Sequence, residues 1–170
     1  MTSALLTISV GVAVERRKAR SPWLSVLWRP VSVFAGAPSA APWTIIDSEE
    51  EATTFYAGEA VIELYRTETA NYRSNLATGS PLLWVILRPT ADEPPVKLLA
   101  VTADPAEGEA LTGAGNDVVE TVPMADSIAA QIQAFIAEHH VERPLFKRQR
   151  DRSGASGAVR ARASGSIRNE

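Results

Sequence analysis

The chain has 170 residues, 45% of them hydrophobic and 22% charged, with a formal net charge of −3. These proportions are ordinary for a globular protein, and the length lets it bury a core without disulfides or a structural metal. There is no cysteine, which excludes disulfides, zinc–thiolate sites, cysteine-ligated iron–sulfur clusters, thiol nucleophiles and any sulfur carried on a protein thiol.

Ala4 to Val14 is an apolar run that could pass for a targeting segment. The charges of Glu15, Arg16, Arg17 and Lys18 follow it instead of preceding it, and it is shorter than the ~20 residues a bilayer span needs. Ile8, Val10, Val12 and Val14 alternate with Thr7, Ser9, Gly11 and Ala13, so a β-strand is expected here. The expectation is a soluble, cytoplasmic protein without a membrane segment. Leu27 to Phe34 reads as a second strand, at an edge or bulged because Pro30 lies within it. Trp43 to Ile46 is a short third strand. Thr53 to Tyr56 and Glu59 to Arg66 read as a hairpin around Ala57-Gly58. In its second arm Ala60, Ile62 and Leu64 face the core, while Glu59 and Glu63 face solvent with Val61 and Tyr65.

Thr67 to Ala77 is a short helix expected to bury Tyr72 and Leu76, capped by Thr67 or Thr69. Leu82 to Leu87 is continuously apolar and is the candidate central strand, with Val96 to Ala103 following it. Asp104-Pro105-Ala106-Glu107 is the clearest local signal: Asp at the N-cap, Pro at the first helical position and Glu two further on. Asp117 to Val122 is a last strand. Ala125 to Val141 is the main helix, with Ile128, Ile132, Phe135, Ile136 and His139 in one stripe. The fold class is therefore α+β: an antiparallel β-sheet of about six to seven strands, with two short helices and a longer C-terminal helix on one face. Residues 1–146 are expected to form a single domain. Residues 147–170, mostly Arg, Ser, Gly and Ala, are expected to form a disordered basic tail.

Charge divides along the chain. Residues 1–142 hold nine Lys and Arg against eighteen Asp and Glu, whereas residues 143–170 hold eight against two. An acidic body with a basic tail suggests how a partner is met, but names no reaction. Such a tail could neutralise nucleic-acid phosphates, yet no base-reading element accompanies it, and nucleic acid is not the expected partner.

Few residues carry a chemical signature. His139 and His140 adjoin Glu138 and Glu142, but consecutive helix residues point about 100° apart and cannot both face one ion. Zinc-binding pairs sit at i,i+4. No metal and no cofactor is expected. Trp23, Trp28, Trp43 and Trp84 admit ligand stacking, and Arg29 could fork onto a phosphate or carboxylate beside Trp28; large rings filling a small core or resting on a sheet face are the favoured account. Gly113-Ala114-Gly115 continues into no dinucleotide fingerprint, and no nucleophile elbow or phosphate loop is present. Glu59 and Glu63 share a strand face, as a solvated sheet surface requires. No catalytic residue is assigned, and the sequence points away from an enzyme.

Several separated segments resemble a known family. They include Val10-Gly11-Val12 to Arg17, Trp28-Arg29-Pro30-Val31, Ala41-Pro42-Trp43-Thr44, Phe55-Tyr56-Ala57-Gly58 and Glu63-Leu64-Tyr65-Arg66-Thr67-Glu68-Thr69. Leu83-Trp84-Val85-Ile86-Leu87-Arg88-Pro89, Val101-Thr102-Ala103-Asp104-Pro105, Ala137-Glu138-His139-His140-Val141-Glu142-Arg143-Pro144 and Phe146-Lys147-Arg148 follow. Together they resemble a bacterial family catalogued as domain of unknown function 3305, from about Ile8 to Arg152. Its members are often encoded beside molybdenum-dependent formate dehydrogenase components, and some carry a molybdenum-cofactor guanylyltransferase label. The resemblance implies an accessory protein that assists maturation or regulation of that enzyme by binding a formate dehydrogenase subunit or assembly factor. A small-molecule or nucleotide-binding enzyme of molybdenum-cofactor metabolism is the alternative, but the first strand leads into Glu15-Arg16-Arg17 and not into a glycine-rich nucleotide loop. Nucleic-acid binding through the basic tail is the third reading. The candidate binding residues are Trp28, Arg29, His139, His140, Glu142, Arg143, Phe146, Lys147 and Arg148.

Overall fold

A computed structural model describes residues 3–142. Its first strand, β1 (Leu6–Lys18), holds Ile8, Val10, Val12 and Val14 nearly inaccessible, and from Val10 to Val14 it is buried on both faces because Gly11 and Ala13 are covered too. It pairs antiparallel with β2 (Val26–Ala35) on one side and β4 (Ala52–Leu64) on the other. β3 (Thr44–Ser48) completes a four-stranded sheet of order β2-β1-β4-β3. A second antiparallel sheet has β5 (Leu82–Pro89) between β6 (Val96–Thr102) and β7 (Val118–Pro123). The α+β class and the seven antiparallel strands are as expected, and the strands divide between two sheets. Leu82–Leu87 is central in the smaller sheet, and β2, which carries Pro30, is an edge strand with a register shift in its pairing to β1.

The expected hairpin around Ala57-Gly58 is corrected. β4 runs unbroken through both residues, and the register with β1 shifts opposite Val12 and Ala13. Gly58 has φ 131°, so the glycine marks a bulge and not a turn. Trp43 also enters the left-handed region, at φ 69°. That conformation costs a residue with a Cβ roughly 1–2 kcal/mol. Its ring meets Trp28 edge-on at 5.8 Å and Phe55 at 6.1 Å, contacts that help hold it there.

Three α-helices complete the fold among the described residues. α1 (Thr69–Ala77) follows a single 3-10 turn, Arg66–Glu68. Its N-cap position is Glu68, without a side-chain cap, rather than either threonine. Tyr72 is buried as expected and Leu76 is partly buried. α2 (Pro105–Thr112) begins at the expected cap, where Asp104 Oδ1 accepts the Ala106 and Glu107 amides at 2.8 and 3.4 Å. Glu107 does not return to the cap amide; it accepts the Thr102 hydroxyl at 2.5 Å, and Thr102 Oγ1 accepts the Asp104 amide. α3 (Asp126–His139) buries Ile128, Ile132, Phe135 and Ile136. These join side chains from both sheets and Tyr72 in one core. No helix among the described residues is long and apolar enough to cross a membrane. The expected tail, residues 147–170, lies outside the described residues.

Candidate functional site

α1 and the end of α3 pack through Tyr72 and Phe135, whose rings are 6.3 Å apart. Beside that contact lies an open cleft of about 1070 Å3. One wall carries Arg66 of the 3-10 turn with Thr69, Ala70, Arg73, Ser74 and Ala77 of α1, and the far wall is His139 to Glu142. Ala70, Arg73, Ser74 and Ala77 recur at helical spacing on the exposed face of α1, and the buried Thr69 lies at the edge of that face.

His140 ties the walls together. Its Nε2 lies 3.2 Å from Arg73 Nη1 and its Nδ1 lies 3.0 Å from Thr69 Oγ1. A guanidinium can only donate, so Nε2 is the acceptor and the ring is the neutral tautomer with its proton on Nδ1. That proton is donated to Thr69 Oγ1, and the Thr69 hydroxyl donates onward to the Arg66 carbonyl at 3.3 Å. Each donor in the chain Arg73, His140, Thr69 thus meets an acceptor. Arg73 Nη1 also donates to Glu142 Oε1 at 3.2 Å, a pair whose side chains are 57% and 80% exposed. At that exposure the pair is worth no more than about 1 kcal/mol. His139 stacks on Phe135 at 4.6 Å, as the stripe predicted. Among the described residues no group of three or more His, Asp or Glu is disposed to hold a metal ion.

The sequence-predicted residues separate into two places. His139, His140 and Glu142 come together in the cleft. Trp28 and Arg29 lie near the start of β2, outside the cleft, and as neighbours on a strand point to opposite faces of the larger sheet. Trp28 is opposite Arg16, whose guanidinium lies over the Trp28 and Phe55 rings at 5.9 and 5.5 Å. Arg29 is opposite Glu15 and donates to its Oε1 at 3.1 Å. Adjacent strand residues cannot grip one planar ligand from a single face. Arg17 shares Glu15, at 3.0 Å, and its hydrogen bond, followed by that of Arg29, holds the Glu15 carboxyl below the usual carboxylate range. Trp23 is 91% exposed, and Trp84 lies beneath α2. Arg143, Phe146, Lys147 and Arg148 lie outside the described residues.

Arg66, Thr69 and Arg73 escaped the sequence reading. The signal was partly present: once Tyr72 and Leu76 set the buried face of α1, residues 66, 70, 73, 74 and 77 define the outer one, while Thr69 is buried at its edge.

A family model described as protein of unknown function (DUF3305) matches residues 9–150. The chain belongs to this family. No curated protein matches the DUF3305 chain, and no solved structure does. The family pattern spans both sheets and all three helices, and runs eight residues past Glu142 at the rim of the cleft.

Proposed function

We propose that this DUF3305 protein is a cytoplasmic accessory factor that acts by protein contact, and that the α1–α3 cleft is where it meets its partner. The observation that carries this reading is the ordered rim itself. Arg73, His140 and Thr69 are fixed by directional hydrogen bonds beside the exposed Glu142, at the point where the basic sequence begins. The partner is a subunit or assembly factor of a molybdenum-dependent formate dehydrogenase, as the family resemblance implies. The protein's contribution is then to enzyme maturation or regulation and involves no reaction of its own.

The test is deletion of the gene in a host grown under conditions that require formate dehydrogenase. Formate dehydrogenase activity should fall, and be restored by the intact chain but not by the Arg66→Ala/Arg73→Ala variant, provided that variant accumulates and unfolds like the parent. Unchanged activity and unchanged cofactor loading in the deletion strain would exclude the reading.

A further inference from the structure

The geometry points to an acidic peptide segment of the partner as the occupant of the α1–α3 cleft, with Glu142 holding the place of one of its carboxylates. This rests on the reading of the cleft as a contact site and adds the chemistry of what it contacts. Three observations converge on it.

The first is charge. Residues 1–142 carry twice as many Asp and Glu as Lys and Arg, so most of this body repels an acidic partner. The cleft departs from that background: Arg66 and Arg73 line one wall. Arg143, Lys147, Arg148 and Arg150 follow its other wall in sequence. Oppositely charged surfaces steer encounter and select partners.

The second is that a carboxylate already sits there. Glu142 Oε1 accepts Arg73 Nη1 at 3.2 Å from a side chain 80% exposed. An internal pair so exposed is readily exchanged for an incoming carboxylate. Arg66 makes no ion pair among the described residues, so a second carboxylate along the same segment has a cation to meet.

The third is preorganisation. His140 Nε2 accepts from the same Arg73 nitrogen that meets Glu142, and Thr69, only 5% exposed, fixes His140. The guanidinium is oriented before the partner arrives, which lowers the ordering cost of binding. The cleft, about 1070 Å3, is open to solvent and not an enclosed small-molecule pocket.

The experiment is a titration of the full chain with a capped hexaglutamate peptide at low ionic strength, followed by amide chemical shifts. Hexaglutamine and inorganic phosphate serve as controls. Saturable shifts are expected at Thr69, Ala70, Arg73 and His140, with little response to hexaglutamine and an affinity that falls as salt is raised. Arg73→Ala should weaken binding about tenfold, whereas Glu142→Gln, by removing the internal competitor, should tighten it about two- to five-fold. A full-length variant with Lys147, Arg148, Arg150 and Arg152 changed to Ser separates the cleft from the following cations: the Arg73 effect should persist in it. Binding unaffected by Arg66→Ala/Arg73→Ala, or shifts confined to residues beyond Glu142, would overturn the assignment. So would a saturable response to phosphate with none to the peptide. Failure here leaves the accessory role standing, because that is read from formate dehydrogenase activity in the deletion strain. Peptide binding with an unaffected deletion strain keeps the site and removes the proposed enzyme.

Discussion

Asn75 is a residue whose role no local pattern announces. It sits in α1 only 4% exposed, and its amide nitrogen donates to the carbonyls of Leu82 and Ala103 at 2.8 and 3.0 Å while its oxygen accepts the Leu82 amide at 3.0 Å. One side chain thus joins the helix that lines the cleft to the start of β5 and the chain leaving β6. Asn75→Asp keeps the shape but turns two donors into acceptors facing carbonyls. It should destabilise the protein by about 3 kcal/mol in urea unfolding, the cost of buried polar groups left unmatched; a loss below about 1 kcal/mol would show that the bolt does not matter. Tyr72 is a milder case. Its hydroxyl accepts the Tyr65 amide at 3.0 Å, and burial first of all pushes its ionisation up to about 12. It therefore stays neutral, and Tyr72→Phe should cost about 1–2 kcal/mol at any pH from 5 to 9 by stranding that amide.

At the scale of elements, α2 rests on Trp84 so closely that it needs a glycine. A Cβ at Gly108 would lie 2.2 Å from Trp84 Cγ. Alanine would raise helix propensity by about 1 kcal/mol, but forcing a methyl into a packed contact costs about 1–3 kcal/mol. Gly108→Ala should therefore be net destabilising, by up to about 2 kcal/mol on thermal or urea unfolding. Trp84→Leu in the same chain should recover much of it, a coupling that a double-mutant cycle measures. What could be read from sequence follows the same division between local and distant causes. The Asp104 cap was legible because donor and acceptor are two residues apart. The buried stripe of α3 was legible because its period is set by the helix alone. Gly58 was misread as a turn because a bulge is defined by the partner strand, here β1, which lies more than forty residues earlier. The division into two sheets was invisible for the same reason. Half of the candidate site was found, as His139, His140 and Glu142 are chemically conspicuous. Arg66 and Arg73 were not, since exposed polar residues look like ordinary surface until a second element faces them, and Thr69 was not, since it read only as a helix cap until His140 came beside it.

For the whole molecule, acid stability offers a measurement that reaches both sheets. Glu15 lies in the larger sheet beneath Arg17 and Arg29. Asp117, just before β7, receives two hydrogen bonds from Arg88 of β5 at 2.9 and 2.8 Å. Both carboxyls are held below their ordinary range, Glu15 chiefly by its hydrogen bond from Arg17 and Asp117 by those from Arg88. A carboxyl depressed in the folded state binds its proton more readily when unfolded. Its stabilisation is therefore fully present above the unfolded value, about 4 for these groups, and is lost as pH falls through the lower folded value. General charge effects act on the whole chain and also change in acid, so a drop in stability alone would not assign the cause. The difference between parent and Glu15→Gln does, because the background is common to both. Gln keeps the size and one acceptor but loses the charge, so the variant should be less stable by about 1 kcal/mol at pH 7. As pH falls from 5 to 3 the parent loses this advantage and the variant has none to lose, so the two curves should converge. Urea unfolding of both proteins at pH 7, 5, 4 and 3 reads this directly. A gap that stays constant or widens in acid would mean that the Glu15 charge, as distinct from its shape, contributes nothing to holding β1 against β2.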